Sequence, residues 1–326
     1  MLRSYGDGSL LDLSIIIVSW NVGELLDRCL ASLHKTRRAT RPGSQDEFSF
    51  EIIVVDSASE DGSAELVRER HSTVVLLPQK ENVGFTRGNN IGLAQARGAY
   101  LLLLNPDTEV SPDALATMLD YMNRHPRTGI LGPHTLNSDD SHQSTRRRFP
   151  TLLTGIFEST WLSAWAPAAV ERTYRMLDTR DDDILQADWV QGSALLLRRE
   201  VYDGIGGLDE GFTMYSEELD YCRRAKSAGW GVTYHGGAYI THHGGKSSEQ
   251  AGALKQIHFQ SSKLRYFRKH HGYGHYLILR AILLLQFSWQ LCLESVKGAL
   301  GHKRDLRARR IRIYWQVLRN GLKAQV

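Results

Sequence analysis

Four short apolar runs in the first third of the chain constrain the fold more than any other feature. They are Leu13–Ser19, Glu51–Asp56, Thr73–Leu77 and Ala99–Leu104. The first two read as parallel strands buried on both sides, the third and fourth as further strands of the same sheet. Helical patterns separate them. Leu25, Leu26, Cys29, Leu30 and Leu33 recur at helical spacing after the first. Ser63–Arg70 and Asn89–Ala96 follow the second and third. Pro112–Arg124 follows the fourth, with Ser111 as its expected N-cap and Pro112 in its first position. Strand and helix in this alternation, joined by right-handed crossovers, give an α/β fold with a doubly wound, mostly parallel sheet.

Beyond Ile130 the rhythm is lost. Arg146, Arg147 and Arg148, followed by Phe149 and Pro150, form a basic run that suits either a solvated face or a bound phosphate. Val190–Leu197 reads as a strand, Ser216–Ala228 as a helix, Gly231–His243 as strand and Glu249–His271 as a helix. Tyr276–Leu293 is strongly apolar. The segment Thr36–Ser49 reads as an exposed loop around Pro42 and Gly43.

With 326 residues the chain has room for one large domain or two small ones, and 42% hydrophobic against 23% charged residues excludes wholesale disorder. Three dispersed cysteines, Cys29, Cys222 and Cys292, exclude a disulfide framework and a cysteine zinc site, which favours a reducing, cytoplasmic compartment. Met1–Asp12 is polar and lacks the apolar core of a signal peptide. Of the 40 Lys and Arg, nine fall within Val296–Val326, against one acid, Asp305. The remainder holds 31 basic and 35 acidic residues. A basic tail on a slightly acidic body suits an anionic surface. No basic stripe with interleaved aromatics marks the body, so no nucleic-acid partner is expected.

The usual phosphate-binding loops are missing. The first strand runs into Ser19, Trp20, Asn21, Val22 and Gly23, not a Gly-x-Gly-x-x-Gly turn, and no Gly-Lys-Ser/Thr follows any strand. Gly84, Gly88 and Gly92 suit a turn with close helix packing as well as they suit a ligand. The polar residues at strand ends carry more information, because ligands of open α/β sheets bind beyond the carboxyl ends of the strands. Asp56 ends the second strand, and Asn105, Pro106 and Asp107 follow the fourth.

Taken in order, the blocks Ser14–Asn21, Val54–Ser63, Asn82–Phe85, Gly88–Gly92, Asn105–Thr108, Arg147–Thr151, Val190–Ala194, Gly206–Phe212, Glu217–Cys222 and His242–Gly245 resemble family 2 glycosyltransferases of GT-A fold, in their bacterial rhamnosyltransferase-like branch. The resemblance covers about residues 12–250. It implies an inverting, metal-dependent transferase with a nucleoside-diphosphate sugar donor, dTDP-L-rhamnose in this branch or a UDP-sugar otherwise. It implies a lipid-linked saccharide acceptor in cell-wall or surface polysaccharide synthesis. A non-catalytic nucleotide-sugar binder is the alternative of another class.

By resemblance, Asp107 is the anionic ligand of Mn²⁺ or Mg²⁺, with Asn105 in the companion position and His242 as a further ligand, His243 standing in reserve. Asp56 meets the nucleoside, with Ser19, Trp20 and Asn21 lining the same pocket. Asn82, Gly84 and Arg87 lie near the diphosphate or ribose. The family's general base falls at Glu218, with Glu217 as the alternative, and Asp220 orients its helix. The expected division is a catalytic domain over residues 12–260 and a helical, basic C-terminal region over 261–326. Tyr276–Leu293 carries Arg280, Gln286, Ser288 and Gln290, which count against crossing a bilayer. It is expected to dock peripherally on the anionic inner face of the plasma membrane, or to pack on the catalytic domain or a second copy in a homodimer.

Overall fold

A computed structural model describes residues 11–36, 47–158, 160–244, 252–300 and 303–322. Most of the expected N-terminal segment and of the loop at Thr36–Ser49 lies outside these, as does the start of the helix expected from Glu249. The chain divides into two compact units. The first comprises residues 1–149, 175–210 and 218–247, the second residues 150–174, 211–217 and 248–326.

The first unit is built on one large sheet. Its strands are β1 (Leu13–Ser19), β2 (Phe50–Asp56), β3 (Val75–Pro78), β4 (Tyr100–Leu104), β5 (Thr108–Val110), β6 (Thr128–Leu136), β7 (His142–Gln143), β9 (Ile184–Gln186), β11 (Ala194–Arg198) and β12 (Gly231–His242); β8 (Arg146–Arg147) and β10 (Trp189–Val190) form a separate ribbon. The order is β3-β2-β1-β4-β11-β6-β12-β5. Strands β1 to β4 are mutually parallel, β11 is antiparallel to both neighbours, and β12 is again parallel to β6. The sheet is therefore mixed and mostly parallel. Because β2 and β4 flank β1 on opposite sides, the winding reverses there, and the reversal opens a crevice at the carboxyl ends.

The apolar runs of β1, β2 and β4 fill both faces, whereas β3 is a partly exposed edge strand. On β1, Leu13, Ile15 and Ile17 join the core with Leu26, Leu30 and Leu33 of α1 (Gly23–Thr36), whereas Ile16 joins Leu93 on the other side. The helices α2 (Ser63–Arg70), α3 (Phe85–Gln95) and α4 (Ala114–Arg124) alternate with the strands as the sequence implies. Gly88 and Gly92 let α3 lie directly on β1. A β-carbon on Gly92 would come within 2.3 Å of Ile16 Cγ2, and one on Gly88 within 2.7 Å of Val18 Cγ1. Gly84 holds φ +76° at the helix entry, a conformation glycine takes at little cost. Turn and packing account for all three.

Several boundaries depart from expectation. Helix α3 begins at Phe85, not Asn89. Helix α4 begins at Ala114 with Asp113 as its cap residue, while the Ser111 carbonyl accepts the Ala114 N–H. Val190–Leu197 is not one strand but the end of β10 and most of β11. The basic run is neither solvated nor open to a phosphate over its first two residues. Arg146 is 2% exposed, bonded through Nε to Thr179 Oγ1 (2.8 Å) and paired with Asp181 (2.8 Å), and Arg147 is buried. Only Arg148 is exposed.

The second unit is helical. It contains α5 (Leu152–Phe157), α6 (Ala168–Tyr174) and three longer helices, Gly252–His270, Tyr273–Ala299 and Arg304–Asn320. Gly155 brings α5 against Phe267 and Leu279. Lys263 is buried and donates to the Glu158 carbonyl at 2.8 Å, capping α5; burial lowers its pKa, opposed by the Glu158 carboxylate. The 27-residue helix Tyr273–Ala299 is long and apolar enough by length and composition to cross a membrane. Three of its polar residues turn inward: Arg280 donates to the Gly321 carbonyl (2.9 Å), Gln286 is buried, and Glu294 is buried against Arg307, while Ser288 is exposed. The opposite face exposes Leu277, Ile278, Leu285, Trp289 and Val296.

Candidate active site

The carboxyl edge of the sheet gathers most of the residues singled out by sequence. Ser19 at the end of β1 stands in register with Asp56 at the end of β2. Both are buried, and both present an atom without a hydrogen-bond partner among the described residues, Ser19 Oγ and Asp56 Oδ1. Buried polar atoms are almost always satisfied, so these two neighbouring atoms are open to a ligand or to water. Asn21 holds φ +52°, in the left-handed region that Asn tolerates, and its side chain accepts the Glu60 N–H (2.8 Å). Asn82 Oδ1 accepts the Ser57 hydroxyl (3.0 Å) and the Gly84 N–H (2.9 Å). These two asparagines shape the wall of the crevice through their side-chain oxygens. Trp20 is half-buried beside them, and Arg87 is exposed on the first turn of α3.

The loop after β4 carries the second group. Asn105 N–H donates to the Ser193 carbonyl (2.9 Å), fixing the exit of β4 to the entry of β11. Asp107 is buried, and its Oδ1 lies 3.2 Å from His242 Nε2 at the end of β12. Asn105 Nδ2 is 3.5 Å from the same nitrogen, and Asn105 Oδ1 has no partner among the described residues. Among the described residues no third carboxylate, imidazole or thiol joins this pair. A carboxylate, an imidazole and an amide oxygen are together the donor set of a hard to borderline divalent cation that keeps open positions for substrate oxygens. The residues present therefore fit Mn²⁺ or Mg²⁺. His243 points elsewhere: its ring nitrogens meet Glu109 Oε1 (2.8 Å) and Ser138 Oγ (2.8 Å). Burial raises the Glu109 pKa, but the His243 and Arg28 contacts outweigh it and hold the carboxyl below its ordinary range.

Glu217 and Glu218 open α8 (Glu217–Ser227), and the structure separates them. Glu217 is 5% exposed, whereas Glu218 is half-buried beside Gly192. A β-carbon on Gly192 would touch the Glu218 side chain at 3.4–3.6 Å. Gly192 precedes Ser193, the residue bonded to Asn105, so Glu218 lies near the strand end that carries Asn105. Asp220 is fully buried and paired with Arg224 (2.8 Å), which also donates to the carbonyls of Ile205 and Gly207; it orients the helix.

Two features escaped the sequence reading. Tyr215 and Ser216, just before α8, both hold positive φ (+68° and +65°). Such strain costs about 1–3 kcal/mol per residue and concentrates at functional sites. Asn90 clamps α3 to the segment after α7 (Arg199–Ile205), donating to the Leu208 carbonyl (2.9 Å) and accepting the Leu208 N–H (2.8 Å). The Gly-Asn-Asn and Gly-Gly-Leu-Asp blocks are one structural joint.

A doubly wound sheet with acid, amide and imidazole at its carboxyl edge is the framework of a nucleotide-sugar transferase. The sequence profile of glycosyl transferase family 2 matches residues 14–206, more than half of the chain. The chain belongs to that family and is a glycosyltransferase of its rhamnosyltransferase-like branch. It is 29% identical over 273 residues to the N-acetylglucosaminyl-diphospho-decaprenol L-rhamnosyltransferase of Mycobacterium tuberculosis, spanning 80% of this chain and 86% of that protein. It is 27% identical over 161 residues to the rhamnosyltransferase WbbL of Escherichia coli K12, spanning 46% of this chain and 57% of that protein. The fold is GT-A, like that of the mannosyltransferase PcManGT from Pyrobaculum calidifontis, solved with GDP-Man and Mn²⁺. That likeness has a TM-score of 0.56 at 15% identity, over 94% of this chain and 87% of that one.

Proposed function

We propose that this glycosyltransferase moves L-rhamnose from dTDP-L-rhamnose, with inversion and with Mn²⁺ or Mg²⁺, to a polyprenyl-diphosphate-linked saccharide ending in N-acetylglucosamine. The observation that carries the reading is the meeting of Asp107, His242 and Asn105 at the sheet edge, with Glu218 held beside Gly192 near the strand end that carries Asn105. The acceptor class is supported by the name of the mycobacterial relative.

Asp107, His242 and Asn105 hold the cation, which when bound offsets charge on the departing diphosphate. Asp56 and Ser19 supply the partners that the nucleoside needs, and Trp20 and Asn21 complete that wall. Asn82, Gly84 and Arg87 border the diphosphate. Glu218 takes the proton from the acceptor hydroxyl as its oxygen attacks the anomeric carbon opposite the leaving group. The buried Glu217 is the weaker alternative.

The acceptor's lipid brings the enzyme to the cytoplasmic face of the membrane. The exposed face Leu277, Ile278, Leu285 and Trp289 enters the interface. The neighbouring helix presents exposed Arg304, Arg309, Arg312 and Arg319, with Trp315, to anionic headgroups. Each such cation contributes about 1 kcal/mol near the surface.

Thermal stabilisation by nucleotide sugars with Mn²⁺ tests the donor. At a hundredfold the dissociation constant, dTDP-L-rhamnose adds about 2.7 kcal/mol. Stabilisation by UDP-galactose or UDP-N-acetylglucosamine alone transfers the reading to a UDP-sugar, and stabilisation by none overturns it.

A further inference from the structure

His242 is held by a directional chain of hydrogen bonds that starts in the turn between β6 and β7. Asp139 is an exposed carboxylate whose pKa is lowered by the side-chain and backbone hydrogen bonds of Ser141. As an ionised acceptor it requires the Ser141 hydroxyl to donate, and Ser141 Oγ lies 2.5 Å from Asp139 Oδ1. Ser141 Oγ must then accept, and it does so from Asn137 Nδ2 at 2.9 Å. That turns Asn137 Oδ1 toward Gln143 Nε2, also at 2.9 Å. Gln143 is left with Oε1 facing His242 Nδ1 at 2.8 Å.

The sheet makes this reach possible. Gln143 on β7 pairs with Thr135 on β6, and Thr135 pairs on its other side with Ile240 on β12. His242 is two residues beyond Ile240, on the same face of the pleat. The Gln143 side chain thus crosses β6 diagonally to the imidazole.

Every member of the chain has one orientation. An amide oxygen cannot donate, so His242 must carry its hydrogen on Nδ1. In the neutral ring Nε2 then holds a lone pair, aimed at Asp107 Oδ1 3.2 Å away. Two lone pairs at that distance repel, so a proton or a metal cation belongs between them; Asn105 Nδ2 lies 3.5 Å from the same nitrogen.

We infer that Gln143 is a positioning residue: the Asp139–Ser141–Asn137–Gln143 relay fixes the tautomer and ring direction of His242, so that Nε2 faces a divalent cation shared with Asp107. This rests on the metal reading given above. Outer-shell partners of metal-bound histidines typically contribute 10–100-fold in affinity.

The test uses the full chain and Mn²⁺, read by the electron paramagnetic resonance of the unbound ion with dTDP present. Gln143→Met keeps the length and removes the acceptor; Gln143→Glu keeps an acceptor. The Mn²⁺ dissociation constant should rise about 10–100-fold in Gln143→Met and return toward that of the wild type in Gln143→Glu. Melting temperature should stay unchanged in both. Equal Mn²⁺ affinity in wild type and Gln143→Met overturns the relay while leaving the metal site standing. A wild-type protein that takes up no Mn²⁺ overturns the metal site itself.

Discussion

Ser19 and Asp56 stand side by side at the carboxyl ends of β1 and β2, and each has a buried oxygen with no partner among the described residues. The second oxygen of Asp56 is held by the Ser59 N–H at 3.2 Å, so the carboxylate is oriented before any ligand arrives. Its contact is expected to be with the nucleoside, away from the reacting carbon.

Asp56→Ala should therefore raise the apparent Michaelis constant for the donor more than it lowers turnover. An interaction made equally in ground and transition states affects binding alone. Steady-state kinetics at varied donor concentration checks this, and a pure turnover defect contradicts it.

Gly92→Ala should destabilise the fold by about 1–3 kcal/mol, the usual cost of overpacking a core. The added methyl meets Ile16 Cγ2 on the fully buried strand β1. Chemical denaturation measures the loss, and equal stability of wild type and Gly92→Ala contradicts the close packing of α3 on β1.

Acidification should destabilise the first unit before any carboxylate titrates. Burial lowers the pKa of His134, His142 and His235 below the ordinary 6.5. A histidine with a lowered native pKa binds its proton more readily in the unfolded chain. Stability is therefore full above pH 6.5 and falls as pH drops from 6.5 toward the native values. Asp27 and Asp61, lowered from 3.8, lose their contribution only in much stronger acid. Melting temperatures at pH 7.5 and pH 5.5 should differ accordingly, and replacing His134 and His142 by neutral residues should shrink the difference.

Flotation with anionic liposomes tests the docking face. The full chain should float at low salt and be released by high salt or alkaline carbonate, because its polar residues Arg280, Gln286 and Glu294 are engaged within the helical unit. Replacing Leu285 and Trp289 together with Ser should abolish flotation. Resistance to both extractions would mean that Tyr273–Ala299 spans the bilayer.

Much of this was legible in the sequence because local and global signals agree in the first half. Leu13–Ser19 is buried on both faces and declares itself by composition alone, and its strand limits match the sequence reading. Strand β6 did not declare itself. Gly132 and Pro133 look like breakers, yet Gly132 admits Val190, whose Cβ would lie 2.7 Å from an added β-carbon, and Pro133 lies where β12 shifts register between His235 and Tyr239. Arg146 reads as surface by residue type. Its burial depends on Thr179 and Asp181, partners more than thirty positions away. The residues around the candidate metal site were visible as types at strand ends, but the Gln143 relay was not. It exists only once β6 brings β7 and β12 together.

The central claim is that Asp107 and Glu218 act in one reaction, the first through a divalent cation and the second as base. The direct measurement is release of dTDP from dTDP-L-rhamnose in the presence of a polyprenyl-diphosphate-linked acceptor and Mn²⁺. Glu218→Gln should bind donor normally and turn over about 10²–10⁴-fold more slowly. Asp107→Ala should fold normally and be as inactive as wild type in EDTA. Full activity of Glu218→Gln beside an inactive Glu217→Gln, or activity of Asp107→Ala undiminished by EDTA, would contradict the account.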